Sequence, residues 1–327
     1  MTRGALLART ATVIAVIGGS YLLYRNLSRY SISEILQSIY AIPLTNGLTA
    51  FGFVVMSYLT LAGFDATALA YVGKRIAAPK VLLTSFTALS IGHNVGVSLL
   101  SSGAVRYRSY SRWGLSAAEV AQLIVFCGVT VALGIASLAG ITMLVPLDNP
   151  RNLGVLGPET MRLLGATILV FPLAYVLAAR FLPRRIHVWR WHVRVPGWRL
   201  ALTQVIVGTT NFTFVAACLY FLLRDSADVH FLEVARGYAV ANILAIISHV
   251  PGGLGVLEAG LVYALPGEVP FGVLIAFRIV YYLIPLSFGL PLFLLTEASH
   301  LRGRSRRRQA CRSGSSSSTA ETGSSTS

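Results

Sequence analysis

Three ionisable side chains interrupt or end long stretches that otherwise carry no charge: Asp65, Glu258 and Arg278. A charge placed in hydrocarbon costs about 2.5–3.5 kcal/mol on insertion scales, so such residues are functional candidates by default. Glu258 and Arg278 belong to neighbouring segments, where they either pair with each other or each hold part of a ligand. Asp65 closes its apolar stretch with Lys74 and Arg75 close behind, which points to an interfacial position. The densest polar run is GHNVGVSLLSSGAVRYRSYSRWGLS, residues 92–116. It gathers His93, Asn94, Ser102, Arg106, Tyr107 and Arg108 within a short span. Guanidinium groups bind phosphate through paired N–H donors, and backbone N–H groups exposed near glycines add to an anion site. Arg106, Arg108 and Tyr107 therefore suit the phosphate of a lipid headgroup, with Ser102 and the amides around Gly252 and Gly253 as further donors. The competing reading is that Arg106, Arg108 and Arg112 only fix topology. His93 and His249 each precede a glycine-rich break. A histidine in an apolar segment is ordinarily a core residue, and no His, Cys, Asp or Glu spacing suggests a metal.

The elements that must hold these groups are apolar helices. Of the 327 residues, 55% are hydrophobic and 12% are charged. Uncharged stretches run 35–64, 81–105, 120–147, 163–179, 200–223, 237–257 and 279–296, and a membrane-spanning helix needs roughly 20 such residues. The composition excludes a soluble enzyme, a disordered chain and a disulfide scaffold. It also excludes an outer-membrane barrel, whose strands would alternate every other residue. The net charge of +15 would suit nucleic acid, but the positive charges sit in short loops between apolar segments, so membrane topology explains them and nucleic acid is not expected as a partner. Cys127 and Cys218 lie inside apolar stretches and Cys311 in the tail, with no motif spacing. No P-loop is present, so no nucleotide hydrolysis is expected, and no cofactor is implied.

Loops rich in Arg and Lys stay cytoplasmic. That rule places 74–80, 106–112, 180–199 and the tail inside, and the acid-bearing segments 146–162 and 224–236 outside. Both flanks of 81–105 are then inside, so that segment enters and returns, broken at Gly92, Gly96 and Gly103. Segment 232–265 must likewise start and finish outside, broken at Pro251, Gly252, Gly253 and Gly255. The expected fold is an all-α polytopic membrane protein with about six full spans and two re-entrant hairpins of opposite orientation. The spans are 5–24 (read as uncleaved), 44–66, 117–145, 161–180, 200–223 and 271–296, and both termini are cytoplasmic. One and the same shift brings Leu44 onto Leu200 and His93 onto His249. This is the order of an inverted repeat, the plan of many transporters. The chain divides into a first span and loop (1–43), repeat unit one (44–145), a linking span and basic linker (146–199), repeat unit two (200–296) and a basic, Ser-rich tail (297–327) expected to be disordered. Residues 25–43 read as a loop, and Trp189, Trp191 and Trp198 among arginines read as an amphipathic interfacial linker.

SHVPGGLGVLEAG, residues 248–260, together with Arg278, resembles the signature of the lysylphosphatidylglycerol synthase/flippase transmembrane-region family. SSGAVRYRSYSRWGLS, residues 101–116, is similar to that family's first-half motif, and the resemblance covers about residues 40–296. In bifunctional members the membrane region moves aminoacylated phosphatidylglycerol between leaflets and a cytoplasmic domain makes that lipid. The stretch after residue 296 leaves no room for such a domain, so the resemblance implies translocation or lipid binding without synthesis. The expected function is thus a bacterial inner-membrane translocator of an anionic phospholipid or lipid-linked headgroup. Arg106, Arg108 and loop amides would hold phosphate, while Glu258 would face a cationic headgroup or balance Arg278. Two alternatives stay open. One is a scaffold for a separate lipid-modifying enzyme. The other is an embedded enzyme using Ser98, Ser101 or Ser102 with His93, although no nucleophile motif frames them. A homo-oligomer is also left open.

Overall fold

A computed structural model describes residues 32–94, 98–146, 157–183, 185–188 and 191–299. The expected first span, 5–24, and the tail beyond residue 299 lie outside the described residues. The chain is an all-α polytopic membrane protein: among the described residues, six helices are long and apolar enough to cross a bilayer. In chain order the helices are α1 (Ile32–Tyr40), α2 (Leu44–Val72), α3 (Ala78–Gly92), α4 (Ser98–Arg112), α5 (Ala117–Leu144), α6 (Pro158–Phe181), α7 (Trp198–Leu223), α8 (Phe231–Ser248), α9 (Val256–Ala264) and α10 (Phe271–Ser299). Two expectations are corrected here. Residues 25–43 are not loop throughout, because α1 forms there and packs on the start of α10. The linker 180–199 is not simply an amphipathic surface segment: it contains an antiparallel hairpin of β1 (Arg185–Val188) and β2 (Trp191–Arg194). The last helix also runs to Ser299, past the expected end at 296.

Local signals set several boundaries. Ser116 caps α5 reciprocally with Glu119: the Glu119 N–H donates to Ser116 Oγ at 3.3 Å and the Ser116 N–H donates to Glu119 Oε2 at 2.8 Å. Gly73, at φ 79°, ends α2 in the left-handed conformation that a side chain resists.

Two long helices, one from each repeat unit, form the centre. Asn46 meets Asp225 at 2.7 Å, Ser57 meets Asn211 at 2.8 Å, and Gly63 faces Val207. Sequence number rises along α2 as it falls along α7, so the two first spans are antiparallel. That is the opposed orientation an inverted repeat requires. α5 lies against α7 through small residues. A Cβ on Gly134 would sit 2.4 Å from the Gly208 carbonyl carbon, so this approach excludes any side chain.

The faces of the molecule follow from contacts. Lys74 reaches Glu119 at 3.3 Å, Lys80 lies over the Trp113 ring, and Arg112 pairs with Glu297. Residues 74–80, 106–119 and the end of α10 therefore share one basic face. At the opposite face Asn46 meets Asp225, and Arg236 donates to the Thr142 and Val145 carbonyls at the end of α5. α3 and α4 start and finish at the basic face. α8 and α9 start and finish at the opposite one, since Gly237 sits beside Leu265 and Gly260 beside Ala241. α8 is itself long enough to be counted among the six apolar helices, at 18 residues, yet the chain turns back at its end. The two helical hairpins thus enter from opposite sides.

Candidate functional site

The break in the second hairpin is built by its own sequence. His249, Gly252, Gly253 and Gly255 all have positive φ (54°, 61°, 60° and 76°), and Pro251 opens the short 3-10 turn Pro251–Gly253. Three of these four positions are glycine, the residue that tolerates that backbone freely. Glu258 lies three residues into α9's first turn, and its Oε2 accepts the Gly255 N–H at 2.8 Å. Its other oxygen accepts from Arg278 Nε. Arg278 then donates from Nη1 to the Gly252 carbonyl at 2.7 Å and from Nη2 to the Gly253 carbonyl at 3.1 Å. Pairing, one of the two arrangements the sequence left open, is the one formed, and it does more than neutralise charge. It satisfies backbone groups that the broken helix exposes, which is the condition for irregular backbone inside a membrane.

The first hairpin's tip meets this break. A Cβ on Gly252 would lie 3.3 Å from the His93 carbonyl oxygen. The neighbouring Asn94 Nδ2 donates to the Tyr282 carbonyl at 3.1 Å and to the Ser90 carbonyl at 2.8 Å. Tyr282 belongs to a π-helical turn, Ile279–Leu283, within α10. Such turns re-aim side chains at functional sites, and here the turn starts one residue after Arg278. Tyr281 and Tyr282 are directed at the tip: the His93 ring stacks on Tyr281 at 6.1 Å and meets Tyr282 and Tyr58 edge-on at 6.0 and 6.3 Å. Tyr281 also shares a hydrogen bond of 3.0 Å with Ser57, which donates to Asn211. α2, α3, α7 and α10 so contribute to one polar cluster where the hairpins touch. Within it, the Tyr58 hydroxyl and His93 Nδ1 are buried without a hydrogen-bond partner among the described residues.

Other expected site residues stand elsewhere. Arg106 is buried, and its Nε and Nη2 donate to Asp65 Oδ1 at 3.0 and 2.8 Å. Tyr110 donates to Asp65 Oδ2 at 2.8 Å, and the Cys127 thiol approaches the other oxygen at 3.5 Å. Asp65 is therefore not a surface group paired with Lys74 or Arg75. It is fully buried and ties together α2, α4 and α5. The reason is non-local: the returning hairpin brings Arg106 to it, while Lys74, nearer in sequence, pairs with Glu119. Arg108 and Arg112 both pair with Glu297 at the end of α10, Arg108 at 2.6 Å. Tyr107 is exposed, and Ser102 is buried against Gly92. His249 is exposed, with Nδ1 2.7 Å from the Ile247 carbonyl. The structure thus joins His93, Asn94, Gly252, Gly253, Glu258 and Arg278, and leaves Arg106, Tyr107, Arg108, Ser102 and His249 outside that group. Sequence reasoning had no argument for Tyr58 in this cluster. A tyrosine facing inward from an uncharged span was the only signal.

Among the described residues no group of His, Cys, Asp and Glu side chains converges as a metal site. No family model matches the chain. It is 32% identical over 284 residues to the uncharacterized protein slr0712 of Synechocystis sp., covering 85% of this chain and 88% of that one. It is 31% identical over 270 residues to the inner membrane protein YbhN of Escherichia coli, covering 80% of this chain and 84% of that one.

Proposed function

We propose, for a chain that belongs to the family of the inner membrane protein YbhN, that it moves a phospholipid or lipid-linked headgroup between the leaflets of a bacterial inner membrane. The observation that carries this reading is the contact of two hairpin tips, reaching in from opposite faces, at His93 and Gly252. A continuous span divides the two aqueous sides by a full helix. Two broken hairpins meeting at mid-depth leave only a short stretch of irregular backbone and polar side chains between them. Small relative movements can then open the junction to either side, which is the logic of alternating access around a fixed central site. The Glu258–Arg278 pair gives that centre an acid and a base able to exchange each other for the phosphate and the cationic group of a zwitterionic or aminoacylated headgroup. The resemblance of residues 248–260 and 101–116 to the lysylphosphatidylglycerol family points to the same ligand class. Arg108 and Arg112, paired with Glu297 at the basic face, are suited to collecting anionic headgroups there. No bound cofactor enters this scheme.

The test is leaflet exchange of a fluorescent phosphatidylglycerol in vesicles reconstituted with the full chain. Glu258→Gln and Arg278→Ala should each slow exchange by about tenfold, a change equivalent to about 1.4 kcal/mol, while the protein still purifies as a single species. Wild-type exchange in both variants refutes the roles given to this pair. Exchange no faster than protein-free vesicles in the wild type refutes translocation.

A further inference from the structure

Among the described residues, the charges around the hairpin junction form two pairs, Glu258 with Arg278 and, further along α4, Asp65 with Arg106. Each pair sums to zero. The other titratable side chains there are Tyr58 of α2, Cys218 of α7, Tyr238 of α8, and Tyr281 and Tyr282 of α10, all of types that are uncharged at neutral pH. His93, at the tip of the first hairpin, is the one group among them whose type changes charge between about pH 5 and pH 8. Its place is central. The His93 carbonyl oxygen and Arg278 Nη1 lie 3.3 and 3.7 Å from the point where a Cβ on Gly252 would sit. The imidazole rests among three tyrosine rings, and the Arg278 guanidinium lies 5.2 Å over one of these, Tyr282. Electron-rich rings hold cations, so this cage accepts an imidazolium as readily as an imidazole. His93 Nδ1 is buried and has no hydrogen-bond partner among the described residues, so nothing there reserves it for the neutral form.

We infer that His93 takes up one proton with each anionic phosphodiester headgroup that enters the junction, and that this proton is what lets a headgroup without a cation pass. The inference rests on the translocation reading for its ligand class and adds the coupled ion. The argument is one of charge balance. A zwitterionic headgroup brings a cation for Glu258 as its phosphate takes Arg278. A phosphatidylglycerol headgroup brings the phosphate alone, and Glu258 is left charged and unpaired where burial makes that costly. One proton from water on His93 restores the balance: imidazolium and Arg278 stand against Glu258 and the phosphate. No other group at the junction supplies that charge, since Arg106 is already engaged by Asp65. The proton enters from the side the lipid leaves and is released on the side it reaches. Because the two bind together, each raises the affinity for the other by the same factor.

One measurement needs no transport. The full chain in weakly buffered detergent at about pH 7.5, above the ordinary histidine range, is titrated with dihexanoyl phosphatidylglycerol, and protons taken up are read from a pH-sensitive dye. Uptake should approach about one proton per lipid bound, and dihexanoyl phosphatidylethanolamine should cause none. A second measurement follows leaflet exchange of acyl-labelled forms of both lipids in reconstituted vesicles. Exchange of phosphatidylglycerol should rise as pH is lowered, by up to about tenfold per pH unit while His93 is mostly uncharged. Exchange of phosphatidylethanolamine should stay flat. His93→Gln should lose both the proton uptake and the pH dependence. Glu258→Gln, slower as it is, should also lose the pH dependence, because no carboxylate is left to balance. Binding of phosphatidylglycerol without proton uptake, or no binding, overturns the proposal. So do equal pH slopes for the two lipids, or a slope that survives in either variant. Uptake just as strong with glycerophosphoglycerol, the headgroup without chains, overturns a lipid as the source of the anion. Proton uptake with no exchange of either lipid keeps the proton site and removes translocation. Exchange of both lipids that ignores pH does the reverse.

Discussion

Asp65 and Arg106 show how an ion pair too costly for a membrane becomes a structural element. Each charge alone would be expelled from hydrocarbon. Together, with Tyr110 adding a hydrogen bond at 2.8 Å, the Cys127 thiol of α5 at 3.5 Å and both partners nearly without exposure, they tie three helices together. Removing one partner of such a pair costs about 3–5 kcal/mol, because the other charge is left buried and alone, whereas replacing both by neutral groups of similar shape can be nearly neutral. Asp65→Ala should therefore sharply lower the thermal midpoint in detergent, and the double variant Asp65→Asn with Arg106→Gln should recover most of it. The readout is the monodisperse fraction after heating. Additive losses in the double variant would show that the two side chains do not act as a pair. The same pair shows where sequence reading stops. Glu258 and Arg278 were legible as partners because each stands in an uncharged stretch on neighbouring elements. Asp65 was not, because Lys74 is closer in sequence and Arg106 reaches it only through the return of a hairpin. Sequence shows which charges are out of place. Which of them meet is decided by topology.

At the level of elements, the glycine break and the π turn do opposite things to helices for one purpose. The break stops α8 short of the far face and turns the chain back, while the π turn in α10 keeps the helix continuous and rotates Tyr281 and Tyr282 onto His93. The break was legible because Pro251, Gly252, Gly253 and Gly255 stand together. The π turn was not, since IVYYL is an ordinary apolar helix by composition. The β1–β2 hairpin was missed for a similar reason: its Arg, His and Trp residues suit a surface linker as well as a strand. A paired comparison tests what the break does beyond turning the chain. Gly73 and Gly252 both hold positive φ, 79° and 61°, but nothing lies within 4 Å of a Cβ on Gly73, while one on Gly252 meets the His93 carbonyl at 3.3 Å. An alanine in the left-handed region costs about 1–2 kcal/mol at either position. Both Gly73→Ala and Gly252→Ala should therefore lose similar thermal stability. Only Gly252→Ala should slow leaflet exchange, because only there does the new methyl push the hairpin tips apart. Equal exchange in the two variants would separate the tip contact from function.

Across the whole molecule, the antiparallel pairing of α2 with α7 makes the two repeat units face opposite ways, and every contact at the ends of the helices sorts the chain into a basic face and a face without that excess. The basic face gathers Lys74, Arg75, Lys80, Arg108 and Arg112 with the end of α10, and α7 begins there next to Arg199. This sidedness was readable from charge alone, because loop charge and span parity had to agree before two of the apolar segments could be assigned as hairpins. The contacts fix which loops share a side. By the rule that Lys and Arg near helix ends are retained on the cytoplasmic side, the basic face is expected to be the cytoplasmic one. Single cysteines settle it when introduced into a chain whose Cys127, Cys218 and Cys311 are replaced by serine. Placed at Arg75, Arg112 and Trp198, they should resist a membrane-impermeant maleimide in intact spheroplasts and react after permeabilisation. Placed at Asp228 and Glu268, they should react in intact spheroplasts. If positions 75 and 112 label on different sides, α3 and α4 cross the membrane once between them. The two tips could then no longer approach from opposite faces, and the junction at His93 and Gly252 would lose the geometry on which the proposed lipid passage depends.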